Sequence, residues 1–173
     1  MQWRGQPVWI TRRTPEMMAA LPQLDGQLRD PKSENLDQQP EYARNAHRSI
    51  KPEVLVLVGI CTHLGCSPTA VPKGTANPSL PADWPGGFFC PCHGSTFDGA
   101  GRVYKNKPAP TNLEIPPHRY ASDTRILIGD DTGNTSFHHN LIAHCDARNP
   151  RIKGGGVHDF RFNFIQNWGN AAC

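Results

Sequence analysis

Two short runs of the sequence each bring a thiol and an imidazole close together: Cys61-Thr62-His63-Leu64-Gly65-Cys66 and Cys90-Pro91-Cys92-His93-Gly94-Ser95. One residue separates the first cysteine from the histidine in the first run, and two residues separate them in the second. Two cysteines and two histidines are the ligand set of a two-iron, two-sulfur centre in which histidines replace the cysteines on one iron. The runs therefore predict an iron–sulfur site with four candidate ligands, Cys61, His63, Cys90 and His93.

Zinc is the alternative metal, because cysteine and histidine from two loops also describe a tetrahedral structural site. Zinc ligands usually come as a pair of cysteines two to four residues apart, with a similarly spaced histidine pair in mixed sites. Here each run supplies one cysteine and one histidine instead, and zinc leaves Cys66 and Cys92 without a role. The pattern favours iron–sulfur chemistry, with a zinc-stabilised binding module as the competing hypothesis.

Composition limits the remaining classes of protein. The chain has 173 residues, 37% of them hydrophobic, with 16 glycines and 17 prolines, which indicates many turns and argues against a helical bundle. A net charge of +3 without a basic cluster argues against nucleic-acid binding. No run of 18 or more apolar residues is present, and residues 1–5 lack an apolar signal region. We expect either a soluble protein or one whose N-terminal membrane anchor is missing from this chain.

The first ligand run follows the most apolar segment of the chain. Residues 54–60 read Val-Leu-Val-Leu-Val-Gly-Ile, which is typical of a strand buried on both faces. Residues 6–11 are rich in β-branched and aromatic side chains and predict another strand. Thr14-Pro15-Glu16 predicts the start of a short helix that ends at Pro22, because it offers a capping hydroxyl, a proline in the first turn and an acidic side chain.

The other segments predict an antiparallel all-β domain of short strands separated by turns. Further strands are expected at residues 102–104, 113–115 and 124–128. The polar residues 25–49 predict a long surface loop with a solvated His47. Residues 67–87, dense in proline, glycine and serine, predict a connection with little regular structure.

The last part of the chain, residues 132–173, has no sustained hydrophobic period and predicts a loosely ordered extension of a domain that covers residues 1–131. A second metal site there is the less favoured interpretation, because nothing else in the segment is suited to holding an ion. Its candidate ligands would be His138, His139, His144 and Cys145.

The two ligand runs resemble those of the Rieske subunits of quinol:cytochrome c oxidoreductases, the cytochrome bc complexes. Residues 67–87, with Trp84-Pro85-Gly86-Gly87, look like the proteobacterial branch of that family. The resemblance covers residues 1–131, and further matching segments are Trp3-Arg4-Gly5-Gln6-Pro7-Val8-Trp9, Leu28-Arg29-Asp30-Pro31, Pro108-Ala109-Pro110 and Ser122-Asp123-Thr124-Arg125-Ile126-Leu127-Ile128-Gly129.

The resemblance implies a Rieske-type antiparallel β-sandwich with a small cluster-binding subdomain of two loops and one short helix near the N-terminus. It implies one [2Fe-2S] cluster per chain, with cysteines on the inner iron and histidines on the outer iron. The implied roles are Cys61 and Cys90 for the inner iron, His63 and His93 for the outer iron, Cys66 and Cys92 for a disulfide, Ser95 for a hydrogen bond to a bridging sulfide, Leu64 as a shield and Pro108-Ala109-Pro110 as a rigid cover.

The resemblance also implies a function. A high-potential centre would accept an electron and a proton from ubiquinol and pass the electron to a c-type cytochrome. His93 would face the quinol, with His63 as the second exposed imidazole. The expected partners are cytochrome b and a c-type cytochrome, in a respiratory complex on the periplasmic face of the bacterial inner membrane. A disulfide fits that oxidising compartment.

One position departs from the family pattern. The family often has tyrosine two residues after the serine, where its hydroxyl donates to a ligating thiolate, and this chain has Phe97 there. Loss of a donor leaves more electron density on sulfur, so we expect a lower potential than in relatives with tyrosine.

Two other electron-transfer functions stay open at this point. A soluble Rieske ferredoxin would have a low potential and no use for the Cys66 and Cys92 pair. The small subunit of an arsenite-oxidising enzyme carries such a pair, but the matching segments outside the ligand runs disfavour it.

Overall fold

The computed structural model describes residues 1–129 and four later strands, Thr135–His138, Leu141–Ala143, His158–Arg161 and Phe164–Gln166. The chain divides into two units, Met1–Pro117 and His118–Cys173. Over the residues so described, no helix has the length and apolar character needed to cross a membrane.

The first unit is built from two three-stranded antiparallel sheets, with strand orders β1-β2-β3 and β4-β5-β6. The expected antiparallel all-β organisation with one short α-helix is confirmed for the described residues of this unit. The strands are β1 (Gln2–Trp3), β2 (Gln6–Arg12), β3 (Val54–Val58), β4 (Thr69–Val71), β5 (Gly87–Phe89) and β6 (Thr96–Phe97). The helices are α1 (Pro15–Ala20) and the 3-10 helices Leu21–Gln27, Leu36–Gln38 and Glu41–Ala43.

Strand β3 lies at the centre of the core, as its continuous apolar sequence predicts. Leu55 to Val58 are each exposed by 1% or less. The strand pairs with β2 from Arg12 opposite Val54 to Val8 opposite Val58. Beyond its end the chain continues directly into Cys61, so the first ligand run is attached to the best-buried strand of the unit.

Helix α1 begins as predicted. The side chain of Thr14 accepts a hydrogen bond from the backbone N–H of Met17 at 3.3 Å, and Pro15 occupies the first helical position. The α-helix ends at Ala20, and the chain tightens into the 3-10 helix Leu21–Gln27. The cap and the proline together account for the location of the helix start.

The prediction of a surface loop over residues 25–49 is wrong for several of its members. Arg48 is completely buried, and its guanidinium donates to the carbonyl oxygens of Gln38, Ala100 and Gly101. Burial lowers the pKa of Arg48 to about 10. His47 is half-buried rather than solvated, and burial also lowers its pKa. Polar side chains can lie inside a fold when backbone carbonyls satisfy them, and composition does not reveal such partners.

The predicted strand over residues 102–104 is not a regular strand. Val103 and Tyr104 form only isolated bridges, to Phe97 and Leu28. The chain turns sharply just before them, because the buried carboxylate of Asp98 accepts the backbone N–H groups of Ala100 and Arg102. The guanidinium of Arg102 binds the same carboxylate at 2.8 Å.

The predicted strand over residues 113–115 also lacks a ladder. Leu113 donates to Gly101 and Ile115 donates to Gln38, while the carbonyl of Glu114 accepts from Val58. These backbone groups bind three different segments, so this stretch is extended and buried without belonging to one sheet.

The second unit contains the antiparallel pair β7 (His118–Ser122) and β8 (Arg125–Ile128), which confirms the strand expected at residues 124–128. Two parallel pairs follow: β9 (Thr135–His138) with β11 (His158–Arg161), and β10 (Leu141–Ala143) with β12 (Phe164–Gln166). The domain boundary at residue 131 and the loose order of residues 132–173 stay predictions. His139, His144 and Cys145 of the less favoured second metal site lie outside the described residues.

Candidate metal centre

The first ligand run forms a loop closed by two backbone hydrogen bonds. The N–H of Cys61 donates to the carbonyl of Cys66 at 2.7 Å, and the N–H of Gly65 donates back to the carbonyl of Cys61 at 3.0 Å. Gly65 has a φ of 81°, which only glycine adopts without strain. We call residues 61–66 the first loop.

The second ligand run, residues 90–95, repeats this arrangement between β5 and β6, and we call it the second loop. The N–H of Cys90 donates to the carbonyl of Ser95 at 2.8 Å, and the N–H of Gly94 donates to the carbonyl of Cys90 at 3.0 Å. Gly94 has a φ of 76°, close to that of its counterpart in the first loop. The two loops therefore share a backbone frame although their histidines differ in spacing.

The two candidate thiolate ligands lie at the base of these loops. Cys61 and Cys90 are free cysteines, and each is 2% exposed. Burial raises the pKa of the Cys61 thiol, while hydrogen bonds from the His63 backbone and the Ser95 side chain oppose that rise. A bound metal cation would replace the thiol proton, and its positive charge would stabilise the buried thiolate.

The two candidate imidazole ligands contact each other. The ring centroids of His63 and His93 are 4.8 Å apart, and the rings are perpendicular. His93 is exposed and His63 half-buried. The Nδ1 atom of His63 is buried and has no hydrogen-bond partner among the described residues. A buried nitrogen without a partner suits metal coordination, because an unsatisfied polar atom is otherwise costly.

The disulfide implied by the resemblance is confirmed. Cys66 and Cys92 are bonded, with their Cα atoms 6.6 Å apart, and so join the two loops across 26 residues of sequence. In the described part of the chain, the sulfurs of Cys66, Cys90 and Cys92 form a group within 4.8 Å of one another. Two of these sulfurs are consumed by the disulfide, so Cys90 alone of the three can offer a thiolate.

A third segment, residues 108–111, binds both loops, and we call it the proline segment. The hydroxyl of Thr62 in the first loop donates to the carbonyl of Thr111 at 2.8 Å. In the second loop, the buried hydroxyl oxygen of Ser95 accepts the backbone N–H of Ala109 at 3.0 Å. The ligand motifs in the sequence do not predict a role for Thr62 or Thr111. A hydroxyl directly after the first cysteine was the available signal.

Two further predicted residues differ in exposure. Leu64 is 71% exposed at the end of the first loop, beside His63 in sequence. Phe97 is fully buried in β6, where it pairs with Phe88 of β5. Phe97 is therefore part of the core that supports the second loop, and a hydroxyl at this position would need a hydrogen-bond partner.

The donor set fits an iron–sulfur cluster with mixed ligands. Two buried thiols, an unpartnered buried imidazole nitrogen and a second imidazole come together from two loops of the same shape. Residues 27–117 match the family described as "Rieske [2Fe-2S] domain". The chain belongs to this family. The all-β Rieske fold and the [2Fe-2S] cofactor predicted from the sequence are thereby confirmed in preference to zinc.

Individual relatives agree with this assignment. The chain is 60% identical over 134 residues to the ubiquinol-cytochrome c reductase iron-sulfur subunit of Allochromatium vinosum, covering 78% of this chain and 64% of the relative. It is 42% identical to the mitochondrial cytochrome b-c1 complex subunit Rieske-1 of Nicotiana tabacum, covering 75% of this chain and 42% of the relative. The chain thus spans less than two thirds of the length of these curated relatives.

Proposed function

We propose that this Rieske domain is the head of the iron–sulfur subunit of a ubiquinol:cytochrome c oxidoreductase. It would accept an electron and a proton from ubiquinol and pass the electron to a c-type cytochrome, with cytochrome b as the neighbouring subunit. The name of the Allochromatium vinosum relative, a ubiquinol-cytochrome c reductase iron-sulfur subunit, supports this proposal at 60% identity over 134 residues.

The proposed ligands are Cys61 and Cys90 for the inner iron, and His63 and His93 for the outer iron. When bound, the cluster supplies one-electron oxidation and reduction, with potentials from about −150 to +300 mV for this ligand type. The burial of both thiols supports their assignment to the inner side, and the exposure of His93 supports its assignment to the outer side. Ser95 is fully buried beside Cys61 and would donate its hydroxyl hydrogen at the site.

The contact between the two imidazoles at the loop ends carries the functional proposal. His93 is exposed there, and Leu64 adds an apolar surface, so the end of the loops can present hydrogen-bonding and apolar groups to a quinol. The outward nitrogen of His93 would bind the quinol oxygen and receive its proton. His63 would be the second imidazole available when the domain docks on the cytochrome.

We place the domain on the periplasmic face of a bacterial inner membrane. The Cys66–Cys92 disulfide supports an oxidising compartment, since disulfides rarely persist in the cytosol. The relatives belong, by their names, to cytochrome b-c1 complexes and to a quinol reductase.

A redox titration followed by low-temperature electron paramagnetic resonance tests the proposal. We expect the signal of a mixed-ligand [2Fe-2S] centre with a potential in the upper part of the range given above. A potential of about −150 mV would contradict quinol oxidation and favour a ferredoxin.

The role of His93 is tested in membranes that contain the whole complex. His93→Ala should abolish cluster assembly or quinol turnover, whereas the matched variant His47→Gln, at a histidine outside both loops, should retain them. Full ubiquinol oxidation by His93→Ala would be incompatible with the proposed role.

A further inference from the structure

The free thiol of Cys90 lies close to the disulfide that joins the two loops. The sulfur of Cys90 is within 4.8 Å of both disulfide sulfurs, those of Cys66 and Cys92. Thiol–disulfide exchange requires a thiolate beside a disulfide sulfur, access to that sulfur and a leaving thiol that departs readily. Cys90 supplies a free thiol beside the bridge, and the attacking species is the thiolate that forms when this thiol gives up its proton.

The geometry distinguishes the two sulfurs that Cys90 could attack. Attack on Cys92 would close a ring across Pro91 alone, whose pyrrolidine fixes the backbone φ and leaves little freedom to relieve strain. Attack on Cys66 would join the second loop to the first, just as the existing bridge does. It would release Cys92, which is exposed, so that water can solvate the departing thiolate.

We propose that the cluster-free chain rearranges its disulfide from Cys66–Cys92 to Cys66–Cys90. The thiolate sulfur of Cys90 attacks the sulfur of Cys66, the new S–S bond forms, and the bond to Cys92 breaks. Cys92 leaves as a thiolate and takes up the proton that Cys90 released. The exchange conserves electrons, because one disulfide and one thiol are present before and after it.

The consequence is a chain that cannot accept a cluster. The inference rests on the proposed ligand role of Cys90, because the rearranged bridge removes that thiolate from the site. A bound cluster would protect the native bridge by engaging Cys90. A dithiol reductant would open the rearranged bridge to the Cys66 and Cys90 thiols and so restore the ligand. Closing the Cys66–Cys92 bridge again would then require a disulfide oxidant that accepts two electrons, so recovery of the chain would depend on partners of both chemical classes.

The test compares loaded and cluster-free protein from one strain. Cys145 and Cys173 are first replaced by serine, because they supply other thiols. Cells grown with iron give loaded chain, and iron-starved cells give cluster-free chain. Chemical extraction of the cluster is avoided, because the sulfide that it releases would itself reduce the bridge. Both are handled without oxygen, alkylated in acid and mapped as unreduced peptides by mass spectrometry.

We expect the Cys66–Cys90 peptide, with alkylated Cys92, to rise from undetectable in loaded chain to the main species in cluster-free chain. Finding only Cys66–Cys92 with alkylated Cys90 in the cluster-free chain would overturn the inference. The paramagnetic signal of the loaded chain is read in parallel. If that signal is present and exchange is absent, this inference alone fails, whereas a missing signal from iron-fed cells contradicts the proposed function.

Two variants identify the attacking thiol. Cluster-free Cys90→Ser should keep the Cys66–Cys92 bridge, and cluster-free Cys61→Ser should still rearrange, since Cys61 lies outside the three-sulfur group. Rearrangement in Cys90→Ser with a Cys61–Cys66 peptide would assign the attack to the wrong residue and refute the proposal.

Discussion

The first loop and the second loop have the same backbone frame but expose their histidines to different extents. Each closes through the N–H of its first cysteine and through a left-handed glycine four residues later. His63 in the first loop is half-buried, whereas His93 in the second is exposed. The shared frame places two thiols in equivalent positions, while the side chains give each loop its own contact with solvent.

The loops also differ in how the proline segment binds them. The first loop donates a hydroxyl hydrogen from Thr62, and the second accepts a backbone N–H at Ser95. Ser95 is fully buried, whereas Thr62 is only half-buried. Equivalent ligand positions can therefore depend on contacts of unequal energy.

The largest expected effect tests the equivalence of the thiols. Cys61→Ser and Cys90→Ser should each reduce the iron content per chain by more than about ten-fold. Loss of a residue that only hydrogen-bonds to a metal ligand already lowers metal affinity by about ten-fold or more, and these cysteines are the proposed ligands themselves. Iron analysis and the paramagnetic signal measure the effect. Cys173→Ser, at a cysteine outside both loops, is the control. Retention of iron by only one of the two loop variants would show that the loops are not equivalent as ligand carriers.

Loss of the contact with the proline segment should destabilise the chain more when it is made by the second loop than when it is made by the first. Ser95→Ala leaves the buried N–H of Ala109 without its acceptor and should lower the free energy of unfolding by about 1–3 kcal/mol. Thr62→Val removes a half-buried donor and should cost only about 0.5–1.5 kcal/mol. Urea unfolding of the loaded chains measures both. A larger loss for Thr62→Val would reverse the proposed difference between the loops.

The residue after the second loop should tune the potential. Phe97→Tyr adds a hydroxyl at a position with no exposed surface, and its favourable partner would be a ligating sulfur. If this bond favours the reduced state by about 1 kcal/mol, the potential should rise by roughly 40 mV. Redox titration of the variant and the parent chain measures the shift. An unchanged or lower potential would remove the argument that Phe97 lowers it.

The smallest effect tests the frame itself. Gly65→Ala and Gly94→Ala should each cost about 1 kcal/mol, because alanine is strained at a positive φ while its Cβ would meet no atom within 4 Å. Gly26→Ala is the control, since that position is equally open and has no positive φ. A clearly unequal cost at the two loop glycines would argue against a common frame.

Much of the centre is predictable from the sequence because its ligands are close together along the chain. The spacing of cysteine and histidine identified the four candidate ligands, and the apolar run before Cys61 identified the strand that carries the first loop. The buried polar residues were not predictable. Arg48 donates to the carbonyl of Ala100, which is 52 residues away in the sequence. Asp98 accepts the backbone N–H of Ala100 within a tight turn. No local sequence pattern indicates either partner.

The residue types and their spacing along the chain set the chemistry of the site, because thiols and imidazoles at these positions limit the metal centres that a chain can hold. Folding sets how the two loops face each other. Only the folded chain brings Thr62 and Ser95 to the proline segment, exposes His93 more than His63, and places the sulfur of Cys90 beside the disulfide. These relations join residues distant in sequence, so they depend on the packing of the whole unit rather than on any local pattern.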